Sequence, residues 1–163
     1  MITGLRYHTP HDLPDLWLAS QNGKLIAVTW LAANSDFVHN AQSTADDVLN
    51  QTVSQLDAYF TGQAALFDVP WDISAGTAFQ QTVWQALASI DHGTTLSYAK
   101  LAQQINRPTA VRAVANAVAS NPLTVILPCH RVITSDGKLG GYMGRCRLVA
   151  VKRALLNLKG VAL

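Results

Sequence analysis

The sequence predicts a small α/β domain, an antiparallel sheet with one helix, followed by a mostly helical domain built on a winged helix-turn-helix unit. Three observations predict it: an Asn-Gly pair between two apolar runs, a series of short capped helical segments after residue 76, and a charge that reverses sign part-way along. The 163 residues suit one or two small domains with a real hydrophobic core. Hydrophobic residues make up 49% and charged residues 13%, which excludes the disordered class. No apolar run approaches the roughly 18 residues of a membrane span, so no membrane partner is expected. The stretch Met1 to Arg6 lacks the apolar core of a signal peptide. The expected home is therefore reducing and cytoplasmic. Two cysteines, Cys129 and Cys146, make neither a disulfide framework nor a zinc site by themselves, and Cys146 reads as an incidental thiol.

The first domain is expected over residues 1–72. Leu16-Trp17-Leu18-Ala19 and Leu25-Ile26-Ala27-Val28-Thr29-Trp30 read as strands around Gln21-Asn22-Gly23-Lys24, because Asn and Gly both tolerate the positive φ of a tight hairpin. A helix is expected from Thr44, with Thr44 as its cap and Asp46 and Asp47 in its positive first turn. Val48, Leu49, Val53, Leu56 and Phe60 recur at helical spacing, and Gly62 ends the run. Residues 68–76 show no period and read as a linker.

The second domain is expected over residues 73–163. Thr77 can cap a helix carrying Phe79, Val83, Trp84, Leu87 and Ile90, which Gly93 breaks. Ser97 can cap a short helix from Tyr98 to Ile105, Asn106-Arg107-Pro108 forms a turn, and a third helix runs from about Thr109 to Ala119. Two short helices joined by a tight turn make a helix-turn-helix. The third helix is nearly all small residues with one long charged side chain, Arg112. Such a helix either packs tightly in a core or lies close to a nucleic-acid backbone, with Arg112 alone long enough to reach between bases.

There is no glutamate in the chain. Residues 1–72 carry Arg6 and Lys24 against eight aspartates, a net charge of −6, and residues 73–163 carry ten cations against Asp91 and Asp136, a net charge of +8. The segregation is either chance clustering on a solvated face or the mark of a second half that meets a polyanion.

After the third helix, Asn121-Pro122 breaks the chain and Thr124-Val125-Ile126-Leu127 reads as a buried strand leading into Pro128-Cys129-His130-Arg131-Val132. A lone cysteine after an apolar strand is often an inert core residue. It becomes a nucleophile when a cation, a histidine or oriented amides stabilise its thiolate. On an extended segment the side chains of Cys129 and His130 point to opposite faces, so contact needs a turn or a bridging water. The residues alone leave both readings open.

In its setting the motif resembles one family, the O6-alkylguanine-DNA alkyltransferases, also called methylated-DNA–protein-cysteine methyltransferases. The resemblance runs from Thr77-Ala78-Phe79-Gln80 and Val83-Trp84, through Gly93-Thr94-Thr95-Leu96-Ser97-Tyr98-Ala99-Lys100-Leu101-Ala102, Arg112-Ala113-Val114 and Asn121-Pro122. It continues through Pro128-Cys129-His130-Arg131-Val132-Ile133, Gly137-Lys138-Leu139-Gly140-Gly141-Tyr142 and Lys152-Arg153-Ala154-Leu155-Leu156. It covers essentially all of residues 76–160, whereas the first half matches only in length and general character. The resemblance implies a single-turnover repair protein that flips O6-alkylguanine out of duplex DNA, with O4-alkylthymine as a second candidate lesion. Cys129 would take the alkyl group as a thioether, and His130 would help deprotonate the thiol through a water. Asn121 would brace the turn, and Tyr98 would offer its hydroxyl to the leaving guanine. Arg112 would fill the space left by the flipped base. Tyr142 and Met143 would line the alkyl pocket, and Arg107 and Ser135 would touch the DNA backbone. No metal, no organic cofactor and a monomeric state are implied.

Two departures from the family's pattern are visible. Leu155-Leu156-Asn157-Leu158-Lys159-Gly160 puts Lys159 where the family has a glutamate that orients the histidine. The gap between Tyr142 and Lys152 is about three residues longer than usual, so the loop over the pocket, residues 143–150, is expected to differ in shape. Three other readings compete: an alkyltransferase-like protein that binds lesions without repair, a sequence-specific winged-helix regulator, and a cysteine hydrolase. The first lacks the cysteine that is present here, the second needs base-reading side chains that an Ala-rich helix does not offer, and the third needs a hydrolase signature around Cys129.

Overall fold

The computed structural model describes residues 1–31, 44–63, 66–144 and 148–161. Arg145, Cys146 and Arg147, three of the eight residues of the loop over the pocket, lie outside the described residues. The chain divides into two compact units: Met1–Ile73 together with Pro122–Thr124, and Ser74–Asn121 together with Val125–Leu163.

In the first unit, β1 (Ile2–Tyr7), β2 (Leu16–Gln21) and β3 (Lys24–Trp30) form an antiparallel meander. Asn22 and Gly23 sit at φ 52° and 73°, the left-handed pair that a two-residue hairpin with the strands' own twist requires. That turn, with the one-residue register shift between Ala19 and Ser20, pairs Leu18 with Val28 and Leu16 with Trp30, all four fully buried. Helix α1 (Asp47–Phe60) packs on the sheet through its buried stripe of Leu49, Leu56, Tyr59 and Phe60. Its cap is Asp46, not Thr44. The Asp46 carboxylate accepts from Leu49 N at 2.9 Å, Thr3 Oγ1 at 3.1 Å and Ser20 Oγ at 2.5 Å. Burial pushes its pKa up, but the bonds from Ser20, Leu49 and Thr3 outweigh burial and hold it below the usual value. One carboxylate therefore starts the helix and ties it to two strands, which a threonine cap two residues earlier would not do.

Residues 68–76 are not a plain linker. Leu25 N donates to Pro70 O at 2.9 Å and Asp72 N donates to Leu25 O at 2.9 Å, so Trp71 forms a parallel bridge with β3. Further along the same strand, Val28 N donates to Pro122 O at 2.8 Å and Thr124 N to Val28 O at 3.0 Å. The third strand thus has its outer edge covered by two short passing segments.

The second unit begins with α2 (Ala78–Leu87), whose start is a capping box: Gln80 N donates to Thr77 Oγ1 at 3.1 Å, and Thr77 N to Gln80 Oε1 at 2.9 Å. Gly76 precedes it because a Cβ there would stand 2.2 Å from the Trp84 ring. A two-residue strand β4 (Leu96–Ser97) leads into α3 (Tyr98–Gln104), capped by Ser97 as expected. Asn106, at φ 58°, turns the chain into α4 (Val111–Ala119), which begins two residues later than expected with Ala110 as its cap. Val114, Ala117 and Val118 of α4 are buried, and the Trp84 indole donates to Ala117 O at 2.8 Å. Arg112, Ala113 and Asn116 are exposed. Small residues therefore serve both purposes at once, with one face packed on α2 and α3 and one left to solvent.

The expected strand over residues 124–127 does not form. Leu123 and Thr124 make an isolated bridge, and Val125 turns the chain at φ 71°, a left-handed conformation that a β-branched residue rarely adopts. The residues are buried all the same, which is why the apolar run reads as a strand. Strand β5 (Val132–Ile133) then pairs in parallel with β4, and α5 (Val149–Asn157) closes the unit. Among the described residues, no helix is long and apolar enough to cross a membrane.

Candidate active site

Between the Val125 turn and β5 the chain makes one 3-10 turn, Cys129–Arg131, rather than an extended segment. Cys129 and His130 are therefore not forced to opposite faces as an extended reading requires. Asn121 holds this turn in place: its Nδ2 donates to Leu127 O at 2.8 Å. The Asn121 amide also hydrogen-bonds the cysteine sulfur and favours its anionic form.

Cys129 is 2% exposed, and burial pushes its thiol pKa up. Four influences act against burial: the Asn121 amide, the positive charge of Lys152, and the backbone N–H groups of Cys129 and His130. Helix α5 supplies that lysine. Lys152 is fully buried, and its ammonium donates to Val132 O at 2.6 Å, Leu139 O at 2.5 Å and Gly141 O at 3.1 Å. It stands 5.7 Å over the Tyr98 ring. Burial lowers its pKa to about 8, partly countered by Cys129. Three carbonyl acceptors favour the charged form, so Lys152 is an ammonium at neutral pH. Tyr98 has its hydroxyl pKa raised by burial and then by the Cys129 charge, so it is a phenol and a hydrogen-bond donor at neutral pH.

Cys129 opens onto a pocket of about 290 Å³. Tyr98, Asn116, Tyr142, Met143 and Gly140 are among its lining residues. Met143 Sδ lies 3.9 Å from Cys129 Sγ, directly beside the thiol. Gly140, at φ 68°, leaves room between Thr134 and the Tyr98 ring that a Cβ would narrow to 3.1 Å. His130 is fully buried. Burial, then Arg131, Lys152, Lys159 and His92 in that order, hold its pKa well below the ordinary histidine value. It is therefore a neutral imidazole at pH 7.

The fold thus gathers Cys129, Tyr98, Tyr142 and Met143 around one cavity, with Asn121 bracing the turn and His130 following the cysteine in that turn. It does not bring Arg112, Arg107 or Ser135 there. Arg112 is exposed on the helix whose Ala115, Asn116, Val118 and Ala119 line the pocket. Arg107 is exposed in the turn before that helix, and Ser135 in the turn after β5. Two cations counted toward a polyanion-facing half, Arg131 and Lys152, are buried and cannot serve there. Lys152 is also the site residue that sequence reasoning missed. Its signal was present: Leu148, Lys152, Leu155 and Leu156 share one helical stripe, and a lysine inside such a stripe either snorkels out or is buried on acceptors.

A sequence model described as "6-O-methylguanine DNA methyltransferase, DNA binding domain" matches residues 78–161, and one described as the ribonuclease-like domain of the same protein matches residues 7–73. The chain belongs to the 6-O-methylguanine DNA methyltransferase family. It is 42% identical over 132 residues to the methylated-DNA–protein-cysteine methyltransferase of Mycobacterium leprae, covering 81% of this chain and 72% of that relative. The identity is 51% over 107 residues to the protein of the same name from Mycobacterium tuberculosis strain H37Rv, covering 66% of this chain and 62% of the relative, less than two thirds of its length. Among solved structures, Mycobacterium tuberculosis OGT in complex with DNA superposes at TM-score 0.85 with 40% identity, over 96% of this chain and 92% of that one. Both halves of the expected fold class, the small antiparallel α/β unit and the helical unit after it, agree with the family.

Proposed function

We propose that this methyltransferase-family chain flips O6-alkylguanine out of duplex DNA and takes the alkyl group irreversibly onto Cys129, acting once, as a monomer. The observation that carries the reading is a buried thiol opening onto an apolar pocket, with a cation and an amide acting on the sulfur and a neutral histidine next to it in the chain. In the reaction the thiol proton passes toward His130 through a water. The thiolate attacks the alkyl carbon, the sulfur–carbon bond forms, the carbon–O6 bond breaks, and the electron pair stays with guanine. The Tyr98 hydroxyl donates to the departing base, so it does not leave as a bare anion. A thioether does not hydrolyse, so nothing regenerates the thiol. O4-alkylthymine is a second lesion of the same chemical class.

Intact mass spectrometry after incubation with an O6-methylguanine duplex tests this. The expected result is one added methyl group per chain, on the peptide carrying Cys129, with no further turnover. Methyl on another residue, or release of free methylated product, overturns it.

The exposed position of Arg112 on the pocket-forming helix supports a role in holding the duplex open. Arg112→Ala is expected to slow repair of duplex DNA about 30-fold, the rate equivalent of about 2 kcal/mol of lost flipping support. Reaction with free O6-benzylguanine, which needs no flipping, is expected to stay within about twofold, and equal losses on both substrates would assign Arg112 to the fold instead. Binding of undamaged duplex is expected to be indifferent to sequence and to fall steeply with salt, log K losing about 0.9 per phosphate neutralised for each tenfold rise in salt. A preference for one operator sequence would favour a regulator.

The pH profile follows from the two shifts at the site. A thiol raised above its ordinary value is mostly protonated at neutral pH, and a histidine held well below its ordinary value is already deprotonated there. The transfer rate therefore rises with pH from neutral upward, with no histidine inflection between pH 6 and 8. Lys159→Glu replaces one of the charges that depress His130 with a carboxylate. It is expected to raise the rate near pH 7 and flatten the profile, as read from single-turnover kinetics across pH.

A further inference from the structure

Cys129, 2% exposed, is the deep end of its pocket. Among the described residues that line the pocket, Asn116, Gly141 and Gly144 are exposed, so they mark its mouth. The two glycines bring no side chain, which leaves Asn116 as the polar side chain of the rim. Asn116 does nothing for the fold that alanine would not do better. It sits in the middle of α4, where asparagine is a poorer helix former than alanine. The packed face of that helix is Val114, Ala117 and Val118. The Asn116 carboxamide makes no hydrogen bond among the described residues. The hydroxyl of Thr134, also on the pocket wall, is by contrast engaged with the Asp136 carboxylate and Lys138 O. Asn116 follows Arg112 by four residues, so the two side chains are neighbours on one exposed face of α4.

We propose that Asn116 is a DNA-binding residue whose Nδ2–H donates to a phosphate of the strand from which the lesion is flipped. The proposal rests on the repair reading above. A flipped base stays joined to its strand, so with the alkyl carbon against Cys129 its sugar stands at the mouth of the pocket. The phosphates on either side of that sugar then lie on the rim. A carboxamide offers two N–H donors, and contacts from asparagine to phosphate oxygens fix register without reading sequence. Asn116 and Arg112 thereby divide the work along one helix face. Arg112 fills the gap inside the duplex. Asn116 holds the strand outside it, whether or not a complementary strand is present.

The test compares O6-methylguanine in a duplex, the same oligonucleotide single-stranded, and free O6-benzylguanine, which has no phosphate. Second-order rate constants of alkyl transfer to the full chain are followed by mass spectrometry. Relative to its free-base rate, Asn116→Ala is expected to lose about tenfold on both DNA substrates, the rate equivalent of one hydrogen bond to a charged group. Asn116→Asp keeps the shape but sets a carboxylate against the phosphate, and is expected to lose more. Arg112→Ala is expected to lose on the duplex alone, since a single strand has no gap to fill. A loss by Asn116→Ala confined to the duplex would put Asn116 in the groove with Arg112 and overturns the proposal. An equal loss on the free base, which would make Asn116 part of the pocket wall only, overturns it too. So does an unchanged ratio of rates while the parent chain transfers normally. A parent chain that takes no alkyl group from any of these substrates brings down the repair reading itself, and this proposal with it.

Discussion

A Cys129→Ala protein is expected to bind an O6-methylguanine duplex as the parent chain does and to leave every methyl group on the DNA. Arg112, Arg107 and Ser135, exposed groups proposed to meet the duplex, lie outside the pocket wall, and alanine fills less space than cysteine at a 2% exposed position. The change therefore removes the sulfur without crowding anything. The cost to stability is that of one small buried group, about 1 kcal/mol. Gel-shift binding alongside methyl quantification on the recovered DNA checks both halves. Residual transfer to the variant would mean that another nucleophile does the chemistry, and lost binding would mean that the thiol holds the fold.

The next largest effect is expected at Lys152. Lys152→Met keeps the length of the side chain and deletes a buried ammonium that three carbonyls share. Those carbonyls belong to Val132 in β5 and to Leu139 and Gly141 in the segment that forms the pocket wall, so one side chain ties α5 to both. Leaving them unpaired in the interior costs about 3 kcal/mol. For a chain of this size that is about a 10 °C loss of melting temperature. The same change removes the one full positive charge that favours the Cys129 thiolate. The thiol pKa climbs further, and the rate–pH profile moves to higher pH. A purely structural lysine would lower the melting temperature and leave the profile where it was. Calorimetry and a pH series of single-turnover rates separate the two roles.

Much of the fold is legible in local chemistry. The Asn22-Gly23 hairpin, the Thr77 capping box, the Ser97 cap and the Asn106 turn each follow from residues within four positions of one another. What was not legible is non-local. Asp46 wins the cap of α1 because Thr3 and Ser20 arrive from other strands to bond its carboxylate. Residues 124–127 look like a strand because they are apolar, yet their turn at Val125 is imposed by what the chain must do on either side. At the site, Cys129 and its sequence neighbours were visible as a motif. Its dependence on Lys152, 23 positions further along, was not, since that pairing exists only once α5 is folded beneath β5.

The Pro122–Thr124 excursion has a consequence for how such a chain can be cut or exchanged. In sequence the boundary falls after Ile73, but in hydrogen bonds the first unit includes three residues from beyond residue 120. A fragment ending at residue 73 would lose the partner of Val28 and bare the edge of β3, an invitation to strand-on-strand aggregation. The complementary fragment would carry the apolar Leu123, fully buried in the intact chain, with nothing to cover it. The halves are therefore not modules that recombination can trade at a single crossover. A foreign first domain must bring a third strand that accepts this loop, so the two units are expected to be inherited together.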